Sequence, residues 1–379
     1  MIYFDNAATT AKKPQEVLNA VMNSFKYYSA NPGRGGYKLS SRTSNEIFVV
    51  RQKIAAFFGA EGPENVVFTS NCTQSINMVL KGVLRKGDHI VISSLEHNAV
   101  MRPLKKMGIN YSVAEVSLTD NKKTLENFES AIMPNTKLIF CTGASNVCGR
   151  LLPIDKIGEL CKKKRIMFGI DAAQIAGIIP IDMKKMYIDF LCIAAHKGLY
   201  APMGLGVLIC RKNIPETIIE GGTGTNSLDL HQPQEMPERL ESGTINVPAI
   251  MLLGGGIDFI NKHGISKLYL KEMQLSQYLY DSIKNNRNIE LYTHKPLPWE
   301  YAPVIPFNFK GIASSKIAKN LDEKNIAVRA GFHCAPRAHR KIGTIKNGAV
   351  RISLSAFNNI AEADSFLRIV NDKNFLKNF

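Results

Sequence analysis

The chain has 379 residues, 45% hydrophobic and 21% charged, a composition typical of soluble globular proteins. Its length predicts one large domain of about 250 residues and a smaller one. The chain has 48 lysine and arginine residues and 32 aspartate and glutamate residues, which gives a formal net charge of +16. The cations are spread along the chain without the pattern of a nucleic-acid module. The absence of a signal-peptide pattern and of a long apolar run predicts a cytoplasmic protein without a membrane span. Seven cysteines without a Cys-x-x-Cys pair argue against a disulfide framework and a metal site.

The first part of the chain is predicted to contain two helices. An extended arm at residues 3–10 comes first, and a helix follows from Pro14, which is placed in its first turn. A second helix is predicted from about Ser44. The glycine-rich turn between them, at residues 31–36, lets the backbone approach a ligand closely, and Arg34 supplies a cation there.

The next part alternates between short apolar strands and amphipathic helices. The strands are predicted at residues 66–68, 90–92, 138–140, 166–170 and 190–195, and the helices at 73–84, 98–107 and 155–164. This alternation is typical of an α/β fold in which a mainly parallel sheet is sandwiched by helices. Ligands bind such sheets at the carboxyl ends of the strands.

Polar residues cluster where the predicted strands end. They are found at residues 70–73, 96–98, 145–146, 171–174 and 196–197. Cys72 and Thr73 begin a helix whose amides can hold a phosphate, although a plain helix cap explains them equally well. Asp171 can keep a pyridine nitrogen protonated or cap a helix, and His97 can stack on a cofactor ring or lie in solvent. Their shared position along one sheet edge favours a ligand site.

Lys197 follows the apolar run at residues 190–195, after His196, and leaves the sheet at its edge. In dry surroundings desolvation lowers the pKa of a lysine and provides the neutral amine that Schiff-base chemistry with an aldehyde cofactor requires. The alternative is a lysine that caps the strand and reaches into water. The polar residues at the same edge favour the first interpretation.

Beyond residue 248 the pattern becomes α+β. Strands are predicted at residues 304–309, 327–329 and 350–354, and helices at 249–260, 266–284, 315–324 and 360–371. We predict a large domain at residues 15–255 and a small domain formed by residues 1–14 and 256–379.

Two residues of the predicted small domain are candidates for chemistry. Cys334 lies in a polar turn with cations on both sides, which favours its reactive thiolate. Arg351 is a cation in an otherwise apolar strand and therefore needs a partner. The partner is either the carboxylate of an amino acid, held by both guanidinium donors, or a structural salt bridge. The sequence leaves this choice open.

Eight segments in order resemble the class V aminotransferases and, within them, the cysteine desulfurases. They are YFDNAATT, LEHNAV, ASNVCG, IDAAQ, AAHKGLYAPMGLGVL, RLESGTINVPA, RAGFHCA and VRISLSAFN. The resemblance implies a homodimeric enzyme with the aspartate-aminotransferase type fold (fold type I) and pyridoxal 5'-phosphate. It implies conversion of L-cysteine to L-alanine with transfer of the sulfur to Cys334 as a persulfide. A selenocysteine lyase, acting on L-selenocysteine, and a class V aminotransferase with another substrate remain alternatives.

The resemblance also implies roles for individual residues. Lys197 resembles the lysine that forms the Schiff base, Asp171 the partner of the pyridinium nitrogen and His97 the stacking histidine. The other residues implied at the cofactor are Asn146 and Gln174 beside its ring oxygen, Cys72, Thr73 and His196 at its phosphate, and Thr244 from the neighbouring subunit. The catalytic set is Lys197, Cys334 and His97, and the substrate-binding set is Asn6, Arg34 and Arg351. A sulfur-acceptor protein and iron–sulfur cluster assembly are the expected partner and pathway.

Two positions depart from the family pattern. Members commonly carry a hydroxyl residue where this chain has Ala194, and often threonine where it has Cys72. Two hydrogen bonds to the phosphate are therefore expected to be weaker, which affects cofactor affinity rather than the type of reaction.

Overall fold

A computed structural model describes residues 1–33, 35–225, 227–372 and 375. Its strands are β1 (Ile2–Tyr3), β2 (Val66–Thr69), β3 (His89–Ser93), β4 (Asn110–Ala114), β5 (Thr136–Thr142), β6 (Met167–Asp171), β7 (Phe190–Ala194), β8 (Gly206–Cys210), β9 (Ile289–Leu291), β10 (Val304–Phe309), β11 (Ile326–Ala327), β12 (Arg329–Gly331) and β13 (Ala349–Ser353). Its helices are α1 (Gln15–Tyr27), α2 (Lys38–Phe58), α3 (Cys72–Val83), α4 (Asn98–Met107), α5 (Asn121–Ser130), α6 (Ile154–Lys164), α7 (Val247–His263), α8 (Ile265–Ile283), α9 (Ser314–Glu323), α10 (Pro336–Lys341) and α11 (Ile360–Val370).

A sheet of seven strands, in the order β2-β8-β7-β6-β5-β3-β4, forms the centre of the larger part of the chain. Strand β8 pairs antiparallel with both of its neighbours, and the other pairs are parallel. The predicted mainly parallel sheet is therefore confirmed. The sequence analysis missed β4 and β8.

Helices cover both faces of this sheet, because its interior strands are apolar on both sides. In β3, Ile90 and Ile92 belong to the hydrophobic core that includes residues of α3 and α4, whereas Val91 between them belongs to the core that includes residues of α2, α6 and α7. This alternation follows from the two-residue repeat of a strand. The large sheet is thus the middle layer of three, as predicted.

A second sheet, in the order β12-β13-β10-β9, is antiparallel and packs against α8, α9 and α11. Its core includes Phe4 from the N-terminal arm, whose ring lies edge-on to Phe366 at 6.0 Å. Strand β1 pairs in parallel with β11, so the first residues join the C-terminal part of the chain. The predicted single strand at residues 327–329 is wrong, because β11 and β12 belong to different sheets.

Other boundaries also differ from those predicted. Helix α2 begins at Lys38 rather than near Ser44. The division into domains at residue 255 stays a prediction, and α7 runs through that position without a break. Among the helices of the described residues, none is both long and apolar enough to span a membrane.

Close backbone contacts fix the turn that follows β7. A Cβ atom on Gly256 of α7 would lie 1.9 Å from the carbonyl oxygen of Leu199, and one on Gly198 would lie 2.4 Å from that of Ala176. Such distances leave room only for glycine. The segment after Lys197 is therefore held between α7 and the turn that follows β6.

Candidate active site

A cavity of about 130 Å³ lies at the carboxyl ends of β5, β6 and β7, beside the first residues of α3 and α4. Because these three strands are parallel, their last residues meet at one edge of the sheet. Eight of the predicted site residues line the cavity: Cys72, Thr73, His97, Asn146, Asp171, Gln174, His196 and Lys197.

Lys197 lies in a turn directly after β7. Its backbone carbonyl accepts hydrogen bonds from the Thr10 hydroxyl at 3.0 Å and from the Tyr200 amide at 3.0 Å. Burial lowers the pKa of the Lys197 amine, and the nearby charge of Asp171 offsets part of that effect. The lowered pKa makes a neutral amine available at the cavity wall, as an attack on an aldehyde requires.

Asp171 is the last residue of β6 and is buried. Its Oδ1 accepts hydrogen bonds from the Ala173 amide at 2.9 Å and from the Cys72 thiol at 3.5 Å. Burial and the Asp171 charge hold the pKa of the Cys72 thiol well above its usual value. Cys72 is therefore a protonated hydrogen-bond donor and not a nucleophile.

His97 caps the N-terminus of α4. Its Nδ1 accepts a hydrogen bond from the Ala99 amide at 3.0 Å, so Nδ1 carries no proton. Burial is the main cause that lowers the pKa of the ring. The ring is therefore neutral, with its proton on Nε2.

His196 has a buried Nδ1 that makes no hydrogen bond to any described residue. Burial, and secondly the charge of Lys197, lower the pKa of its ring to about 4. A buried polar nitrogen without a partner needs one, because its desolvation is otherwise not offset. His196 and the first residues of α3, whose N-terminus is capped by the Asn71 side chain, line the same cavity, and a helix N-terminus provides donors for an anion.

Cys334 lies in the turn between β12 and α10, and it is exposed, whereas the other six cysteines are buried. The turn is connected to the cavity by two hydrogen bonds. The Asn98 amide donates to the Cys334 carbonyl at 2.8 Å, and the Asn146 side chain donates to the His333 carbonyl at 2.7 Å. The thiol is therefore presented to solvent by a turn that is bonded to the rim of the cavity.

Arg351 is buried in β13. Its guanidinium donates to Asp5 Oδ1 at 2.5 Å and to the Asn146 carbonyl at 2.9 Å, and its Nε has no hydrogen-bond partner among the described residues. Burial lowers the pKa of Arg351, and the Asp5 charge opposes that effect. A salt bridge is thus present, and the Nε donor of the guanidinium stays unsatisfied.

Asn6, another predicted substrate-binding residue, does not line this cavity. The side-chain amide of Asn6 donates to the Ser353 carbonyl at 3.0 Å and to Asn358 Oδ1 at 3.1 Å. Asn6 lines a small cavity of about 30 Å³ together with Lys197. Arg34 lies outside the described residues.

The sequence matches the family described as "Aminotransferase class-V" over residues 2–366. The chain belongs to the class-V aminotransferase family. A "Probable cysteine desulfurase" of Methanothermobacter thermautotrophicus is 31% identical over 95% of this chain and 92% of the relative. A "Cysteine desulfurase" of Wigglesworthia glossinidia brevipalpis is 31% identical over 100% of this chain and 94% of the relative. The apo structure of the cysteine desulfurase from Thermococcus onnurineus NA1 has a TM-score of 0.90 at 32% identity and covers 100% of this chain and 95% of its own.

These matches confirm the predicted family and its fold type, and they confirm the predicted kind of enzyme, since the relatives carry the name cysteine desulfurase. The roles of the individual residues stay predictions. Thr244 is exposed and lines a different cavity, of about 260 Å³, together with Ser70 and Gln74. Within one subunit of this class-V aminotransferase, Thr244 is therefore not part of the cavity that contains Lys197.

Sequence reasoning noticed Glu96 but did not assign it to the site. Its Oε1 accepts hydrogen bonds from the Ser93 hydroxyl and from the Thr142 amide at 3.0 Å, and it joins the ends of β3 and β5. Burial raises the pKa of this carboxyl to about 8. The available sign that Glu96 belongs to the site was its position directly before His97 in the sequence. The contacts of Glu96 hold the two strand ends that form one wall of the cavity.

Proposed function

We propose that this protein is a pyridoxal-phosphate-dependent cysteine desulfurase, which converts L-cysteine to L-alanine and takes up the sulfur on Cys334. The observation that carries the proposal is the position of Cys334. It is the exposed thiol of the chain, and its turn is hydrogen-bonded to Asn98 and Asn146 at the rim of the cavity that contains Lys197. The names of the relatives support the same activity.

The residues of the cavity fit pyridoxal phosphate. The low-pKa amine of Lys197 suits attachment to the aldehyde, and the buried carboxylate of Asp171 suits a protonated ring nitrogen. The unpartnered Nδ1 of His196 and the N-terminus of α3 suit the phosphate, and His97 presents its ring to the same space. When bound, the cofactor acts as an electron sink for the substrate Cα.

The protein's own groups then have distinct tasks. Lys197 holds the cofactor and, once released, moves the proton of the substrate Cα. The thiolate of Cys334 attacks the substrate sulfur, so that an S–S bond forms and the C–S bond breaks. The electron pair of the broken bond stays with the substrate carbon, which takes a proton and leaves as alanine. The product on the protein is a persulfide on Cys334.

The proposal includes a dimer of this chain. Within one subunit Thr244 does not line the cavity that contains Lys197, so it can reach that cavity only from a neighbouring subunit. Exposed apolar side chains support an interface: Met22 and Phe25 of α1 are 72% and 67% exposed, and Leu228 and Leu230 are almost fully exposed. Light scattering of the purified protein should give the mass of a dimer. A fully active monomer would rule out a contribution of Thr244 from the partner.

The exposed thiol also suits transfer of the sulfur to an acceptor protein in the cytoplasm for iron–sulfur cluster assembly. Protein loaded with labelled sulfur should pass the label to a thiol-bearing acceptor and support cluster formation on an apoprotein. Retention of the label on Cys334 in the presence of such acceptors would contradict this part of the proposal.

The decisive experiment compares wild type with Cys334→Ser, and with Cys161→Ala as a control that removes a buried thiol of α6. Alanine is assayed with L-cysteine and with L-selenocysteine. We expect wild type and the control to gain one sulfur on the peptide that contains Cys334. Cys334→Ser should bind the cofactor normally and lose L-cysteine turnover by on the order of a thousandfold.

Three outcomes would contradict the proposal. Sulfur on Cys72 or Cys148 would mean that another residue is the nucleophile. Full turnover of L-cysteine by Cys334→Ser would mean that Cys334 is not the nucleophile. Turnover of L-selenocysteine alone by the wild type would favour a selenocysteine lyase.

A further inference from the structure

A chain of three hydrogen-bonded side chains lies beneath the turn that carries Cys334. The Nδ1 of His333 lies 3.1 Å from Nε2 of His339, and the Nδ1 of His339 lies 2.7 Å from the Thr344 hydroxyl. The two imidazole rings are nearly parallel, with an angle of 7° between their planes and 5.3 Å between their centroids. All three side chains are buried.

The turn above this chain has an unusual backbone. His333 and Cys334 are consecutive residues with φ angles of 50° and 56°, in the left-handed region that L-residues rarely occupy. Two such residues in a row cost free energy, and they persist only when surrounding contacts specify their conformation. The turn at His333 and Cys334 therefore needs surrounding contacts that hold its backbone in this conformation.

Hydrogen bonds to the backbone of the turn and the burial of the His333 ring show how the turn is held. The His333 carbonyl is held by Asn146 and the Cys334 carbonyl by the Asn98 amide, and the Ala335 amide closes the turn on the Phe332 carbonyl at 2.9 Å. The ring of His333 points into the protein, whereas the next side chain, Cys334, is exposed. Holding the His333 ring inward therefore holds the Cys334 thiol outward.

We propose that His333, His339 and Thr344 form a support that positions the Cys334 thiol for attack on the substrate sulfur, and that His339 is its central positioning residue. The proposal rests on the proposed function, in which Cys334 is the nucleophile. His339 is the central member because it is bonded to both of the others. It acts through His333 and has no contact with the cavity that contains Lys197.

The protonation states of the rings are compatible with this role. A hydrogen bond between two ring nitrogens requires that one of them carries no proton. Burial lowers the pKa of His333 to about 3 and that of His339 to about 4. Both rings are therefore neutral at neutral pH, and the hydrogen bonds of the support are intact there.

The test uses His339→Phe, which keeps an aromatic ring and removes the hydrogen bonds, and Thr344→Val, which removes only the hydroxyl. His294→Phe is the matched control, since His294 is exposed. We expect His339→Phe to lower kcat for L-cysteine by about 100-fold, the loss that a displacement of roughly 1 Å can cause. KM and the absorbance of the bound cofactor should not change. Thr344→Val should lower kcat by a smaller factor. It replaces His339→Phe as the test variant if His339→Phe does not fold.

Two further measurements distinguish an effect on the position of the Cys334 thiol from a general loss of structure. In the Cys334→Ser background, His339→Phe should lower the residual activity no further, because it acts through Cys334. Trypsin should cleave native His339→Phe after Arg340, an exposed residue of α10, faster than it cleaves wild type or the His294→Phe control.

An equal loss of activity in the Cys334→Ser background would overturn the proposal, as would an unchanged kcat in His339→Phe. If wild type forms no persulfide, the proposed function fails. The cleavage rates then still decide whether His339 supports the turn, since trypsin digestion does not depend on the reaction. Unchanged cleavage together with unchanged kcat would leave His333 and His339 as ordinary core residues.

Discussion

Replacement of Arg351 tests whether its buried guanidinium binds substrate or serves only the salt bridge to Asp5. The Asp5 contact and the Asn146 contact occupy two of its nitrogens, and Nε is left without a partner. A hydrogen bond to a charged group contributes about 1.5 to 3 kcal/mol. If Arg351 binds the substrate carboxylate, Arg351→Ala should therefore raise the KM for L-cysteine roughly 10- to 150-fold.

The same substitution also removes the partner of Asp5. Breaking a buried ion pair costs about 3 to 5 kcal/mol, and less is expected here because the Asp5 side chain is 20% exposed. Asp5→Asn provides the matched control, since it breaks the ion pair and keeps the guanidinium. It should lower stability without raising KM, because Arg351 is then freer to bind a carboxylate. Arg351→Lys should restore KM poorly, because an ammonium lacks the planar fork.

The assay is KM for L-cysteine at saturating cofactor, together with thermal unfolding and the absorbance of the bound cofactor. The reasoning is refuted if Arg351→Ala leaves KM unchanged while Asp5→Asn destabilises the protein to the same extent. Arg351 would then be a structural residue, which is the alternative that the sequence left open.

Three other predictions concern the lysine, the buried histidines and the packing of α7. Lys197→Ala should abolish the covalent attachment of the cofactor, and borohydride reduction with peptide mapping checks this; reduced cofactor on another lysine would contradict it. Because the pKa of His333 and of His339 is lower in the folded state than in the unfolded state, stability present above about pH 6.5 should fall on acidification toward pH 4. Urea unfolding should show a smaller fall for His339→Phe, and an equal fall would argue against the assignment. Gly256→Ala should destabilise the protein by about 1 to 3 kcal/mol, because its Cβ would lie 1.9 Å from the Leu199 carbonyl oxygen. An unchanged unfolding midpoint would disprove that contact.

The sequence by itself determined the class of fold and the position of most of the cavity. Apolar runs such as residues 190–194 are buried on both faces because each strand lies inside the sheet, and the helices between them force parallel connections. Parallel strands bring their carboxyl ends to one edge. Residues at or shortly after the ends of those strands, such as Asp171 and Lys197, therefore meet without any information about distant contacts.

Contacts between distant parts of the chain were decided only by the tertiary structure. Asp5 and Arg351 are 346 positions apart, and Asn146 and His333 are 187 apart, so no local pattern specifies these pairs. Strand β8 and its antiparallel course were likewise not predicted, and even a recognised apolar run indicates a buried strand but not its direction. The support beneath Cys334 also depends on packing, because a histidine in a sequence carries no sign of burial. Burial lowers the pKa of His333 and His339 and orients both rings, and burial is a property of the folded chain.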